Sequence, residues 1–543
     1  MHPYVVETFS DAEADVLRRY FTNLDRPVFA LVNLPEVVKG ALFARYSRSS
    51  KSLRRLFLDE FVGDLDVEGD LTVDATIGLN RAEELYSRVF FEYGDDSVAQ
   101  LGSVHLACEQ ASNVLTKVLE RGRIMSYLEQ STRYIPYDVR LPNGRYRYYR
   151  DPTVLESAVG ARYVGDMDRM FDAYGALMTR MQAYFAEAHP REPGDSDFVH
   201  RQAVRAKALD ATRGLLPAAA LSNVGVFGSG QAFEALLLRM RANPLPEVRT
   251  YAEMMLEELR KVIPSFLRRL DVPDRGGAWV DYLRDVREQM EQLAATLDGD
   301  GPGDDDELVS LVDFDPDGEN KVIAAMLYPY TDLPERVLAR RVEAMSEHEK
   351  RQVVAAYVGD RRNRRHRPGR ALERTEYRFD VVSDYGAFRD LQRHRLLTIE
   401  WQDLSPTHGY AVPAPVVEAG GEEEYRSAME RSAALHDAVQ ELFPRQAAYA
   451  VALGFKIRYV MQMNAREAMH LIELRSGPQG HPEYRRIAQA MHRLIADVAG
   501  HRTIADAMTF VDHTEVGLER LEAERRAASR RRTAGESDPI TTP

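Results

Sequence analysis

Cysteine is nearly absent: Cys108 is the single one in 543 residues. A disulfide within the chain is therefore impossible, and a Cys-based zinc site would lack ligands. Flanked by Ala107 and Glu109, that thiol reads as packing and not as a nucleophile. Long apolar runs are also missing, since none approaches the ~20 residues of a bilayer span. The opening Met1-His2-Pro3-Tyr4-Val5-Val6-Glu7 has no charged-then-apolar signal pattern. The expectation is a cytoplasmic protein with no membrane partner. Basic charge is outnumbered, 71 Lys and Arg against 85 Asp and Glu, for a formal net charge of −14. That argues against a general nucleic-acid binder, whose affinity rests on a basic surface. It leaves room for a small anion in a local basic pocket. Hydrophobic content of 44% suits a large core, and the length suits roughly two to four domains.

The chemistry is densest in Arg121-Gly122-Arg123-Ile124-Met125-Ser126-Tyr127-Leu128-Glu129-Gln130-Ser131-Thr132-Arg133-Tyr134. Arginines offer fixed forks of donors suited to phosphate, and Ser and Glu bond a polar ring at short range. Read as residues alone, the run could equally be a solvated helix end with weak ion pairs.

Its spacing resembles the signature of the flavin-dependent thymidylate synthases, RHRxxSxNExSxRY. Seven positions fall in register, with Gly122 for the His and Leu128 for the Asn. Upstream, Tyr93-Gly94-Asp95-Asp96-Ser97-Val98-Ala99-Gln100 resembles the family's YGHDSVAEH, with Asp95 for His and Gln100 for Glu. The motif then recurs. Arg393-His394-Arg395 restores the RHR triplet, after which Trp401 stands for Glu129, Asp403 for Ser131, Ser405 for Arg133 and Pro406 for Tyr134. Asn464-Ala465-Arg466 through His470 to Arg475 resembles the family's NARSLMNFLxLR helix. The matching place in the first half reads Gly228-Ser229-Gly230-Gln231 and ends at Arg239. The resemblance thus implies two diverged copies, the first keeping the nucleotide half of the motif and the second the flavin half.

What the resemblance implies is specific. The fold is α+β, two tandem copies of the flavin-dependent thymidylate synthase fold, helix-rich with a sheet in each. The activity is methylation of dUMP to dTMP using FAD, with methylenetetrahydrofolate and NADPH as co-substrates, at hybrid sites shared by the copies. Arg393, His394, Arg395, Asn464, Arg466 and His470 would hold the cofactor. Ser126, Glu129, Ser131, Arg133, Arg213, Arg239 and Arg475 would hold the nucleotide, with Arg133, Glu129, Ser131 and Arg475 as the catalytic set. Each has a plainer role open to it: Asn464 and His470 can bond neighbouring backbone, and Arg239 and Arg475 can be helix-end cations. No metal is expected. The family's tetramer implies a homodimer of fused chains forming a pseudo-tetramer. Two other readings stay open: a flavoprotein of this fold acting on another pyrimidine nucleotide, and a non-catalytic nucleotide-binding scaffold.

The organisation follows composition. Residues 1–297 form the first copy. Within it Arg45-Tyr46-Ser47-Arg48 is a basic, hydroxyl-rich turn, residues 82–118 read as helix, and Leu236 to Leu297 reads as amphipathic helix with Leu256, Leu259, Val262 and Ile263 at helical spacing. Thr212-Arg213 to Pro217 resembles the family's ARxxLP segment. Residues 298–320 are an acidic Gly/Pro linker, a poor calcium loop because the terminal Glu between flanking helices is missing. Residues 321–520 form the second copy, with a basic run from Arg361 to Arg370 open to solvent, nucleic acid or a phosphate-bearing site. Glu376–Val382 alternates as a strand, and residues 521–543 are expected to be disordered.

Overall fold

Four strands end in a residue that caps the following helix, or lie beside one that does, and this joint is repeated throughout the molecule. The computed structural model describes residues 4–34, 39, 42–43, 46, 49–60, 102–191, 197–297 and 307–514. Its first sheet comprises β1 (Val28–Leu31), β2 (Ser103–Ser112), β3 (Ser126–Glu129) and β4 (Leu221–Ser229), in the order β1-β2-β4-β3. The second comprises β5 (Val309–Phe314), β6 (Glu376–Asp384), β7 (Thr398–Trp401) and β8 (Lys456–Asn464), in the order β5-β6-β8-β7. All pairings in both are antiparallel. The same order twice makes the chain two copies of one α+β unit.

Sequence pattern accounts for the strands. In β8, Ile457, Tyr459, Met461 and Met463 are buried while the residues between are half-buried, the period-2 alternation of a pleated strand. The strand expected at Glu376–Val382 is β6. In β2, by contrast, Leu106 to Glu109 are buried without a break. A continuous apolar run carries no strand alternation, and for that reason the helix expected over 82–118 is wrong from Ser103 to Ser112. Helix begins only at α1 (Asn113–Leu119); residues 82–101 lie outside the described residues.

The helix expected from Leu236 to Leu297 is three: α2 (Gly230–Arg241), α3 (Pro246–Arg260) and α4 (Ala278–Ala294). Pro244, Pro246, Pro264 and Pro273 lack the N–H a continuous helix needs. Leu256, Leu259 and Ile263 are buried as their spacing implied. In the second copy α5 (Tyr385–Leu391) follows β6, and α6 (Ala465–Arg475) follows β8. The four joints are capped by Ser112, Ser229, Asp384 and Asn464, whose side chains accept from Leu115, Ala232, Ala387 and Glu467 N–H. Such caps are each worth ~1 kcal/mol and fix where strand turns to helix.

The compact units do not follow one cut in the sequence. The first comprises residues 1–175, 215–301 and 427–452; the second comprises 176–214, 302–426 and 453–543. The segment 298–320, read as linker, already contains β5. The first core packs Phe21, Phe29 and Phe57 with Leu17, Leu53 and Leu56, Phe21 meeting Phe57 edge-on at 5.3 Å between centroids. In the second, β6 contributes Tyr377, Phe379 and Val381 to the interior. Among the described residues no helix is long and apolar enough to cross a membrane. Arg45, Ser47, Arg48, residues 93–100, 298–306 and 521–543 lie outside the described residues.

Candidate functional site

Ladder register aligns the copies residue by residue. Ser126 faces Phe227 and Glu129 faces Val224 across β3 and β4; Thr398 faces Gln462 and Trp401 faces Tyr459 across β7 and β8. Counted from the caps Ser229 and Asn464, Ser126 matches Thr398 and Glu129 matches Trp401, as the motif spacing implied. One equivalence moves. Because Ser229 and not Gly228 matches Asn464, Arg239 falls one residue short, and Met240 occupies the place of Arg475.

The second unit brings four side chains into one network, His394 and Glu467 buried and His470 and Arg475 half-buried. His394 Nε2 accepts from Arg475 Nε at 3.0 Å, and His394 Nδ1 lies 3.0 Å from a Glu467 carboxylate oxygen. An imidazole that accepts at Nε2 carries its proton at Nδ1, so His394 donates to Glu467. Arg475 also donates to the Asp390 carbonyl at 2.5 Å and lies 5.3 Å over the Tyr484 ring. His470 stands one helical turn from Glu467, its ring 5.6 Å from that of His394, with Arg367 3.4 Å from both its nitrogens. Burial holds His394 well below the usual histidine range, and the Arg475 charge adds to it. Burial takes His470 down to about 4; Glu467 opposes the shift and Arg367 reinforces it. Both rings are thus neutral at pH 7 beside guanidinium groups, an environment that favours an anion.

His394, Glu467 and His470 also present ligand atoms within 4.8 Å of one another. The hydrogen bonds disagree with a metal there. A cation on His394 Nδ1 would force the proton to Nε2, against the Arg475 N–H, and would displace the bond to Glu467.

The remaining second-copy candidates are anchors. Asn464 caps α6, and Arg466 pairs with Glu373 at 2.9 Å while donating to the Pro368 carbonyl at 3.0 Å. The basic run is fastened at Arg361, which grips Glu473 through two bonds of 2.6 Å in the interior. That pin leaves Arg364, Arg365 and Arg367 exposed on the run. Arg395 is exposed and Arg393 half-buried, 3.9 Å from Asp390.

The first unit lacks this network as a set. The places of His394, Glu467, His470 and Arg475 hold Gly122, Ala232, Ala235 and Met240. Tyr127 donates to the Gly122 carbonyl at 3.0 Å, and a Cβ at 122 would sit 2.6 Å from its hydroxyl. What the unit keeps is cationic and hydroxylic. Arg121, Arg123 and Ser126 are exposed on or before β3. Arg239 is held below its usual value by burial and then by the nearby Arg121 charge. Ser131 accepts from the Arg133 N–H at 3.2 Å.

Glu129 points inward. Its carboxylate lies 3.3 Å from Lys117 Nζ, which also meets Glu120 at 2.5 Å, all three side chains being at most 2% exposed. The corresponding places in the second unit are Arg389, Gln392 and Trp401. Trp401 is half-buried, 5.4 Å from the Phe388 ring. Arg213, expected with the nucleotide set, belongs to the second unit. There it lies 3.5 Å from Asp390 and beside the capping Asp384, whose carboxyl burial pushes up to about 6 against the Arg213 charge.

Sequence reasoning missed Glu467, Lys117, Glu120 and Arg389. Glu467 and His470 at i, i+3 on one helix face were a visible signal. Lys117 and Glu120 had the same spacing, but their link to Glu129 exists only once β3 folds back.

Residues 42–265 and 310–500 match the family described as thymidylate synthase complementing protein. A UPF0159 protein of Chlamydia muridarum is 41% identical over 526 residues, covering 95% of this chain and 98% of that one. A flavin-dependent thymidylate synthase of Clostridium tetani is 25% identical over 187 residues, covering 34% of this chain and 68% of that one. Among solved structures, the flavin-dependent thymidylate synthase of Helicobacter pylori complexed with FAD and dUMP is 15% identical. It covers 37% of this chain and 99% of that one, with a TM-score of 0.28.

Proposed function

The chain belongs to the thymidylate synthase complementing protein family, and on that premise we propose that it methylates dUMP to dTMP using FAD, methylenetetrahydrofolate and NADPH. The observation that carries this reading is reciprocal retention at equivalent positions. The second unit keeps the motif residues His394, Asn464, Arg466 and Arg475 where the first has Gly122, Ser229, Gln231 and Met240. The first keeps Ser131 and Arg133 where the second has Asp403 and Ser405.

FAD, when bound, supplies the hydride chemistry, and the protein supplies placement and charge. Arg364, Arg367, Arg393 and Arg395 give the second unit a cationic face suited to phosphates. Within it, the bonds from Arg475 and to Glu467 fix His394 as a neutral Nδ1–H tautomer. Arg475 and Glu467 are in this reading positioning residues. In the first unit, Ser126, Ser131, Arg133, Arg121 and Arg239 hold the nucleotide through charge-assisted bonds. Glu129 positions β3 through Lys117 instead of reaching substrate. The assembly we propose is a homodimer.

Rescue of a thymidine-requiring bacterium tests the reading. The wild-type gene should support growth without thymidine, and Arg133→Ala should not. A second reading, a flavoprotein of this fold acting on another pyrimidine nucleotide, is favoured by the inward Glu129 and by Trp401. It predicts a yellow protein that fails the rescue.

A further inference from the structure

Three arginines of the second unit converge on one residue. Asp390, in the last turn of α5, has one carboxylate oxygen 3.5 Å from Arg213 and the other 3.9 Å from Arg393. Its carbonyl accepts from Arg475, and its negative charge opposes the burial that lowers Arg475. Asp384, the cap of the same helix, also acts on Arg213. Neither carboxylate contact of Asp390 has the length of a closed charge-assisted bond, about 2.7–2.9 Å. A carboxylate that only anchored its helix would be gripped, as Arg361 grips Glu473 at 2.6 Å. Asp390 stands instead as a shared counter-charge. Arg213 beside it is 4% exposed and keeps Nη2 buried without a hydrogen-bond partner.

The first unit shows the same place without the carboxylate. Four residues before Gly122 and His394 stand Val118 and Asp390, so an apolar side chain replaces the anion. Arg121, the counterpart of Arg393, lies close enough to Arg239 for its charge to act there in addition to burial. Two cations drawn together, with valine where the carboxylate would be, favour a bound anion. Three cations around Asp390 are already part neutralised. A phosphate entering among them would set its own charge against Asp390 in a half-buried place, where water and salt screen little. We propose that Asp390 is a specificity-determining residue: it closes the second unit's arginine cluster to a phosphate monoester and so directs the nucleotide to the first unit. That the nucleotide is dUMP rests on the function proposed above; the exclusion of a phosphate rests on the cluster alone.

Equilibrium dialysis of dUMP against the full chain tests this, read as nucleotide bound per chain. The native chain should hold one. Asp390→Asn keeps the shape of the side chain and removes its charge, and it should hold two. Asp390→Val, which installs the first copy's residue, should also hold two, so the outcome does not hang on the folding of one variant. Deoxyuridine, lacking the phosphate, should bind all three chains alike. A native chain that holds no dUMP while both variants hold one would overturn the nucleotide role of the first unit and bear out the exclusion at Asp390. A native chain that already holds two, an unchanged count in both variants, or a gain of deoxyuridine equal to that of dUMP would overturn the exclusion.

Discussion

Replacing Lys117 by Met should loosen the first unit far more than any change at Glu129. Lys117 lies 2.5 Å from Glu120 and 3.3 Å from Glu129, with all three side chains almost fully enclosed. Removing the cation takes the Lys117 contact from two adjacent carboxylates in the interior. Breaking a buried pair from one side costs ~3–5 kcal/mol. Glu129→Gln keeps an acceptor for Lys117 and leaves Glu120 in place, so its cost should be about 1 kcal/mol, a single net hydrogen bond. The readout is amide hydrogen exchange of the peptide spanning Ser126–Glu129, whose ladder to β4 depends on this contact. At 1.4 kcal/mol per decade, Lys117→Met should speed exchange there by roughly two to three and a half orders of magnitude. Glu129→Gln should speed it by less than about tenfold. Equal, small effects for both variants would refute the claim that Lys117 organises this strand.

Three further outcomes follow. Glu247 is buried and accepts from the Ser112 N–H and hydroxyl and from the Tyr449 hydroxyl, yet burial still raises its carboxyl to about 7. The native state therefore holds the proton more tightly, and its contribution is full below pH ~4.5 and lost as pH rises through about 7, ~3 kcal/mol in all; unfolding in urea across that range should show the fall, and Glu247→Gln should flatten it. In the second unit, Glu467→Gln should leave stability within about 1 kcal/mol because His394 keeps an acceptor, whereas Glu467→Leu should cost ~1–3 kcal/mol. Trp401 fluorescence in a Trp279→Phe background reports this unit alone, the chain having two tryptophans. Arg361→Met should speed trypsin cleavage at the already exposed Arg364 and Arg365, since the paired bonds to Glu473 hold the backbone of the run in place.

Much of the site was legible because short motifs carry their own spacing. The equivalence of Trp401 with Glu129 reads directly from the sequence and reappears in the β-ladder. The shift from Gly228 to Ser229 was not readable, because only the cap and the ladder fix where α2 starts. Burial was equally invisible. Glu129 sits among polar residues in the sequence, and its inward turn depends on Lys117, twelve positions away and on another element. The helix predicted through β2 failed for a related reason: a strand buried on consecutive residues has no period to read. Pooling of segments such as 427–452 into the first unit is a long-range choice that no local pattern encodes.

The account rests on a division of labour, flavin with the second-copy residues and nucleotide with the first. Flavin binding by absorbance, measured in parallel on His394→Gly and Arg133→Ala, tests it most directly. His394→Gly installs the first copy's residue and should purify colourless, while Arg133→Ala should stay yellow and yet form no dTMP from dUMP. A yellow His394→Gly protein, or a colourless Arg133→Ala one, would contradict the division.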